Sequence, residues 1–189
     1  MKVVAFHHPQ ATALELPPAI ELIADSAIVW PGHPLFLPDF DQAWTGRVML
    51  AFRISRLGKG IAQKFASRYY DAMTLALVPR SLALHEELEG QCRPAGLSGC
   101  FDGAVVMGRW IDLPADDREV TVDVEGLSVT IDSPLTAAAQ AIAALSHYST
   151  LKTGDILMPV ALAAEFPLIR RREFKASLAG TEVLAVRLP

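Results

Sequence analysis

Residues 120–131 read VTVDVEGLSVTI, and no other stretch restricts the possible folds of this chain as strongly. Val120, Val122 and Val124 alternate with polar residues, Glu125 and Gly126 interrupt, and Leu127, Val129 and Ile131 resume the alternation. Side chains two apart project from the same face of a strand, so the pattern predicts a hairpin with one apolar face. That face has to be covered. The chain continues with Ser133 and Pro134, an N-cap and first-turn pair, and then Leu135, Ala138, Ile142 and Leu145 at helical spacing. This predicts a helix running to about His147.

The other segments are short apolar runs punctuated by glycine and proline. MKVVAF has a strand pattern, HHPQATALELPP is a loop closed by Pro17 and Pro18, and 27–30 and 35–37 are extended pieces around a PGHP turn. Strands are expected over 48–55, over 72–77, from Ile156 onward and over 182–188. A turn is expected over 56–60, and a short helix in GIAQKFASRYYD, where Ile61, Phe65 and Tyr69 recur four apart. Many strands with few, short helices point to a β-rich α+β fold rather than a doubly wound sheet. No repeat or linker breaks the chain, so 1–189 is read as one domain.

Composition narrows the function classes. The chain is 51% hydrophobic and only 20% charged, with a mean hydropathy of +0.29, which is oily for a soluble monomer. A second chain covering part of the apolar excess is the expected explanation, hence a dimer. The net charge is −4, and the one basic run, Arg170 to Arg172, reads as a solvated turn, so nucleic acid is not an expected partner. No apolar run is long enough to span a bilayer and the start lacks a signal-peptide pattern, so a soluble, cytoplasmic protein is expected. Cys92 and Cys100 have neither CxxC spacing nor a histidine neighbour and are read as free thiols.

Four stretches in order carry a resemblance: RISRLGKGIAQKFASRYYD, CFDGAVVMGRW, VDVEGLSVTID, and the helix followed by LSHYSTLKTGDIL. Together they resemble the fumarylacetoacetate hydrolase family, in particular its short bacterial members built from the catalytic β-roll domain alone. The resemblance covers most of the chain and implies a mixed β-sandwich roll of the C-terminal-domain type. It also implies a divalent cation, magnesium or manganese, that polarises a 2-oxo acid or 1,3-dicarbonyl substrate. In the family two glutamates two apart, on the strand ending in the LGK turn, hold the metal with an aspartate from the next strand. A lysine before the FDG motif assists.

Registered on the motifs that match, the sequence departs at each of these places. The glutamate positions fall on Arg47 and Met49, the aspartate position on Val78, the lysine position on Gly99, and an arginine that accompanies the aspartate on Leu82. After GDIL the chain reads MPVALA where the family has a TGTP-like turn. The histidine of a proton-transferring His and Glu pair would stand at about Ala13, with Glu15 close to its partner's place; His7 and His8 come too early. Hard cations want several oxygen ligands, which Met49 and Val78 lack, and an arginine about 3 Å from a divalent ion costs on the order of ten kcal/mol. The expected cofactor is therefore none, with the family magnesium or manganese absent.

Two readings of the altered place stay open. Arg47 and Arg80, the latter two residues after Val78, could bind a small carboxylate beside a space widened by Gly99, provided the strand continues through Pro79. Alternatively Arg47 reaches the surface or pairs with a nearby acid while Met49, Val78 and Leu82 fill the vacated pocket. In either case the chain is read as a non-catalytic member of the fold, a structural, regulatory or anion-binding subunit, dimerising with itself or with an active relative. The other class is a metal-free hydrolase, isomerase or decarboxylase with a relocated site using Arg47, Arg80, His85 and Glu15. Further candidates read as structure. GLSGC around Ser98 breaks the nucleophile-elbow spacing, His85 and Glu89 suit a solvated acidic helix, His147 a helix end, and His33 a turn.

Overall fold

A computed structural model describes residues 1–7, 18–93 and 95–189, and the side chains of all of these but 89, 95 and 98. The predicted hairpin is present at its predicted bounds, as β8 (Val120–Val124) paired antiparallel with β9 (Leu127–Ile131). It joins β11 (Arg172–Leu178) and β12 (Thr181–Leu188) in a four-stranded sheet of order β12-β11-β8-β9. The larger sheet contains β1 (Val3–Phe6), β2 (Ile20–Ile23), β3 (Ile28–Val29), β4 (Trp44–Ile54), β5 (Tyr70–Ser81), β6 (Val105–Met107) and β10 (Ile156–Pro167). Its order is β2-β1-β10-β4-β5-β6-β3, with the two-residue β7 (Ile111–Asp112) also on β5. The β1/β10 and β3/β6 pairs are parallel and the other pairs antiparallel, so the sheet is mixed.

This sheet cannot be flat. β2 and β3 lie at opposite ends of the order, and six inter-strand spacings would separate them by about 29 Å in a plane. Yet β3 starts five residues after β2 ends, a reach of at most about 18 Å. The sheet therefore curls into a roll whose ends are joined by a single turn of 3-10 helix at Asp25–Ala27. Its inner face is a separate apolar cluster that includes Val3, Ala5, Ile23, Met49, Ala51, Ala76, Val78, Val105, Met107, Ile156 and Met158. Alanines are frequent there because a tight roll leaves little room inside.

The outer face forms the main core. Leu50, Phe52, Met73, Leu75 and Leu77 of the roll pack with Val122, Val124, Phe174, Leu178 and Leu184 of the small sheet and with Ile142 and Leu145 of α2 (Pro134–Tyr148). A shorter helix, α1 (Leu82–Gly90), follows β5 directly. No helix among the described residues is long and apolar enough to cross a membrane.

Several local expectations are corrected. The short helix expected after the 56–60 turn is 3-10 over Gln63–Arg68, because β5 begins two residues later and leaves no length for an α-helix. Ser133 precedes α2 in a left-handed conformation and makes no side-chain cap bond. Asp117, from the preceding loop, takes that role, accepting hydrogen bonds from the Leu135 amide at 2.7 Å and the Thr136 amide at 3.0 Å. β4 begins four residues earlier than predicted, and β5 runs through Pro79 to Ser81. β6 pairs β5 only at Ala76 and Leu77, so Pro79 lies on an edge where its missing N–H leaves no gap in a ladder.

α1 is anchored through a buried acid. Asp41 accepts hydrogen bonds from the Ala43 amide at 3.0 Å, the Ser81 hydroxyl and the Ala83 amide at 3.2 Å, while Ser81 Oγ accepts from the Leu84 amide at 3.1 Å. The Ala43 amide and the Ser81 hydroxyl hold the Asp41 carboxyl below its ordinary value of 3.8 against the opposing effect of burial. A depressed folded pKa stabilises fully above the ordinary value and is lost as pH falls through the folded one. Asp41→Ala is expected to cost about 1–2 kcal/mol at neutral pH, a gap that closes in acid as wild-type Asp41 becomes protonated. Urea unfolding of both proteins across the acid range measures it.

Candidate functional site

The first and last marker stretches meet in space. The Gly58 amide and carbonyl exchange hydrogen bonds with Leu151 at 3.0 and 2.8 Å, joining the LGK turn to the turn after α2. Asp155 ends that turn almost fully buried, with its carboxylate 2.7 Å from Lys2 Nζ and accepting the Lys2 and Lys152 amides at 2.7 and 2.8 Å. Gly103 of the FDG stretch has a φ of +88°, which favours glycine. Gly108 and Arg109 tie the two sheets together, the Gly108 amide donating to Leu75 O at 2.9 Å and the Arg109 amide to Val183 O at 2.7 Å. Each preserved marker has a structural role.

The positions assigned to metal ligands lie together on the inner face of the roll. Arg47 faces Val78 of β5 on one side and Glu165 of β10 on the other, and Met49 lies one step deeper between Ala76 and Ala161. Met49 is 1% exposed and Val78 8%, both within the apolar cluster. Above them the roll ends in a polar rim of Thr45, Arg47, Arg80 and Glu165. Arg80 lies opposite Thr45, which places it on the same face as Val78.

Glu165 organises that rim, and no local sequence signal identified it. Its Oε1 accepts hydrogen bonds from Arg80 Nη1 at 3.0 Å and Arg47 Nη2 at 3.4 Å, and its Oε2 from the Thr45 hydroxyl at 3.0 Å. Burial pushes the Glu165 carboxyl up, but the bonds from Thr45 and Arg80, the Arg80 charge and the Arg47 bond outweigh it, and the carboxyl lies below its ordinary value. The nearby acid of the second reading is thus present.

Two expectations fail. Leu82 fills no pocket: it is the first residue of α1 and 38% exposed, because the chain leaves the sheet at Ser81. Gly99 widens no space beside the arginines. It ends a 3-10 helix over Ala95–Gly99 whose carbonyl receives the Ala24 amide, and a Cβ there would stand 2.7 Å from the Leu22 carbonyl. A larger residue would collide with the backbone of β2.

The same face holds another pair that the sequence reading passed over. His7 follows β1 in phase with Val3 and Ala5, and Glu21 lies opposite Ala5 on β2; His7 Nε2 is 3.5 Å from Glu21 Oε2. Only the pairing of β1 with β2 reveals this. Ala13, Glu15 and His8 lie outside the described residues, as do the side chains of Ser98 and Glu89. His85 is on α1, His147 in the last turn of α2 against the Tyr148 ring, and His33 in a turn. Arg170 pairs with Asp39 at 3.2 Å, and Cys92 and Cys100 are free and exposed. A groove on the outer side, lined by Tyr70, Asp117 and Thr136, has its acid committed to capping α2, and burial together with the Asp117 charge raises the Tyr70 hydroxyl.

At the three positions that the resemblance assigns to carboxylates stand one guanidinium, one thioether and one isopropyl group, and the rim acid is engaged by two arginines. Among the described residues no group of three or more histidines, cysteines or acids is placed to hold a metal. The inner face does not fit the family cation.

The family model for the C-terminal domain of fumarylacetoacetate hydrolase matches residues 3–159. The chain belongs to this family. Solved members share the fold at low identity. Fumarylpyruvate hydrolase from Pseudomonas aeruginosa, in complex with Mn2+ and pyruvate, superposes with a TM-score of 0.84 at 17% identity, over 99% of this chain and 88% of that one. For 5-carboxymethyl-2-hydroxymuconate delta-isomerase from Mycobacterium smegmatis the values are 0.81, 22%, 98% and 75%. For 2-hydroxyhepta-2,4-diene-1,7-dioate isomerase from Mycobacterium marinum they are 0.80, 21%, 98% and 73%. No curated protein matches the chain. The fumarylacetoacetate hydrolase fold is therefore retained here.

Proposed function

We propose that this chain is a non-catalytic member of the fumarylacetoacetate hydrolase family, a structural or regulatory subunit that has given up the family's divalent cation. The observation that supports this most directly is the occupation of the inner face. Met49 and Val78 are packed into an apolar cluster where oxygen ligands would be needed, and Arg47 adds positive charge beside them. The apolar excess of the sequence further supports assembly with a second chain, either another copy or an active relative.

Thermal melting with and without manganese or magnesium tests the reading. No shift in Tm is expected, together with no turnover of acylpyruvates or oxaloacetate; a saturable rise of several degrees would mean that a cation binds the folded form. A second reading, a metal-free enzyme of the family's reaction types, draws support from the His7 and Glu21 pair on the inner face. A histidine beside a carboxylate can serve as a proton-transfer group. Turnover that persists in a chelator and disappears in His7→Ala would establish it.

A further inference from the structure

Arg47 and Arg80 direct two guanidinium groups at one carboxylate. A guanidinium has five N–H donors. Among the described residues the two side chains engage Glu165 through one nitrogen each, and at the same oxygen. Among the described residues, two positive charges against one negative leave a surplus of one. The three side chains are 23–31% exposed, so the surplus faces the open end of the roll rather than the core.

The two contacts differ in quality. Arg80 holds Oε1 at 3.0 Å, a normal charge-assisted bond, whereas Arg47 reaches the same atom only at 3.4 Å, near the limit of such bonds. Thr45 keeps the other oxygen turned toward β4. Arg47 is consequently the less committed arginine. All four side chains project from adjacent strands, so their spacing is set by the sheet and little has to be ordered when a ligand arrives.

We propose that the rim of the roll binds a small organic monocarboxylate at Arg47 and Arg80, with Glu165 acting as a built-in competitor for the same guanidinium groups. The proposal rests on the reading of the inner face as free of a cation and names the ligand class of that face. A planar carboxylate matches the paired N–H donors of a guanidinium, and its single charge neutralises the surplus. A phosphate dianion would overshoot it and meet the Glu165 carboxylate. Displacing Glu165 from Arg47 costs a weak bond and gives the incoming carboxylate a strong one.

Calorimetric titration of acetate at low ionic strength, with inorganic phosphate in a parallel series, tests this on the wild type, Glu165→Gln and Arg47→Gln. Glu165→Gln removes the competing charge and is expected to tighten acetate about tenfold, while Arg47→Gln weakens it at least about tenfold. Phosphate should bind the wild type more weakly than acetate. Should Arg47→Gln fail to fold, Arg47→Lys serves, because it keeps the charge and loses the planar fork, and a clear loss of affinity is again expected. Unchanged acetate affinity in Glu165→Gln, unchanged affinity in the arginine variants, or tighter phosphate than acetate would each overturn the proposal. Manganese added to the same samples separates the two ideas. A cation-dependent shift refutes the cation-free reading whatever acetate does, and absent acetate binding without such a shift refutes only the carboxylate site.

Discussion

Asp155→Ala is expected to lower the stability of this protein by about 3 kcal/mol, one of the largest effects of any single side-chain removal. The carboxylate is 1% exposed and serves three donors at once: the Lys2 ammonium, the Lys2 amide and the Lys152 amide. Alanine leaves both amides of this partly buried turn without their acceptor, at about 1–3 kcal/mol each, while Lys2, partly exposed, can turn to solvent. Its backbone also matters, since the Ile54 amide donates to Asp155 O at 2.8 Å and the Lys2 carbonyl accepts the Ile156 amide at 2.9 Å. Loosening the side chain therefore loosens the start of β1, the end of β4 and the entry to β10 together. Asp155→Asn, which keeps an acceptor oxygen, should lose less. Urea unfolding of the three proteins measures the order, and equal stability of wild type and Asp155→Ala would mean that the turn is held by its backbone alone.

Gly108→Val is expected to prevent folding, and Gly108→Ala to cost about 3 kcal/mol. A Cβ at this position would stand 2.6 Å from Thr74 Oγ1, 2.8 Å from the Leu75 carbonyl and 2.9 Å from the Val183 carbonyl. Two of these are backbone atoms, one in each sheet. Neither can withdraw without breaking the bonds that the Gly108 and Arg109 amides make to those same carbonyls. The strain is therefore delivered to the junction between the roll and the small sheet, and the Thr74 hydroxyl, which donates to Arg109 O at 2.7 Å, would be displaced as well. Gly90→Ala is the control, since nothing lies within 4 Å of its would-be Cβ. It should leave the unfolding midpoint close to that of the wild type. A similar midpoint for Gly108→Ala would show that the junction can open to admit a methyl group.

The preserved and altered residues divide along a physical line. Gly58, Gly103, Gly108 and Asp155 make the turns and junctions without which the roll cannot close, and these formed the recognisable stretches. Arg47, Met49 and Val78 stand at places the fold does not need for closure. An apolar roll interior accepts Met and Val readily, because both fill volume without leaving a polar group unpaired.

Alternation over 120–131, the helical spacing after Pro134 and the strand pattern of the first residues were legible in the chain itself, since each depends on neighbours two to four positions apart. The β-rich class followed from them, and the roll from the resemblance. Everything involving a partner across the sheet was hidden until the strands were paired. Glu165 meets Arg47 and Arg80 because a register with two irregularities brings β10 opposite β4 at that point, and no count along the sequence predicts where irregularities fall. Asp117 took over a cap that Ser133 was expected to provide, and His7 found Glu21, for the same reason: hydrogen bonds form between groups that are close in space, and closeness over 14 to 118 residues is a property of the closed roll.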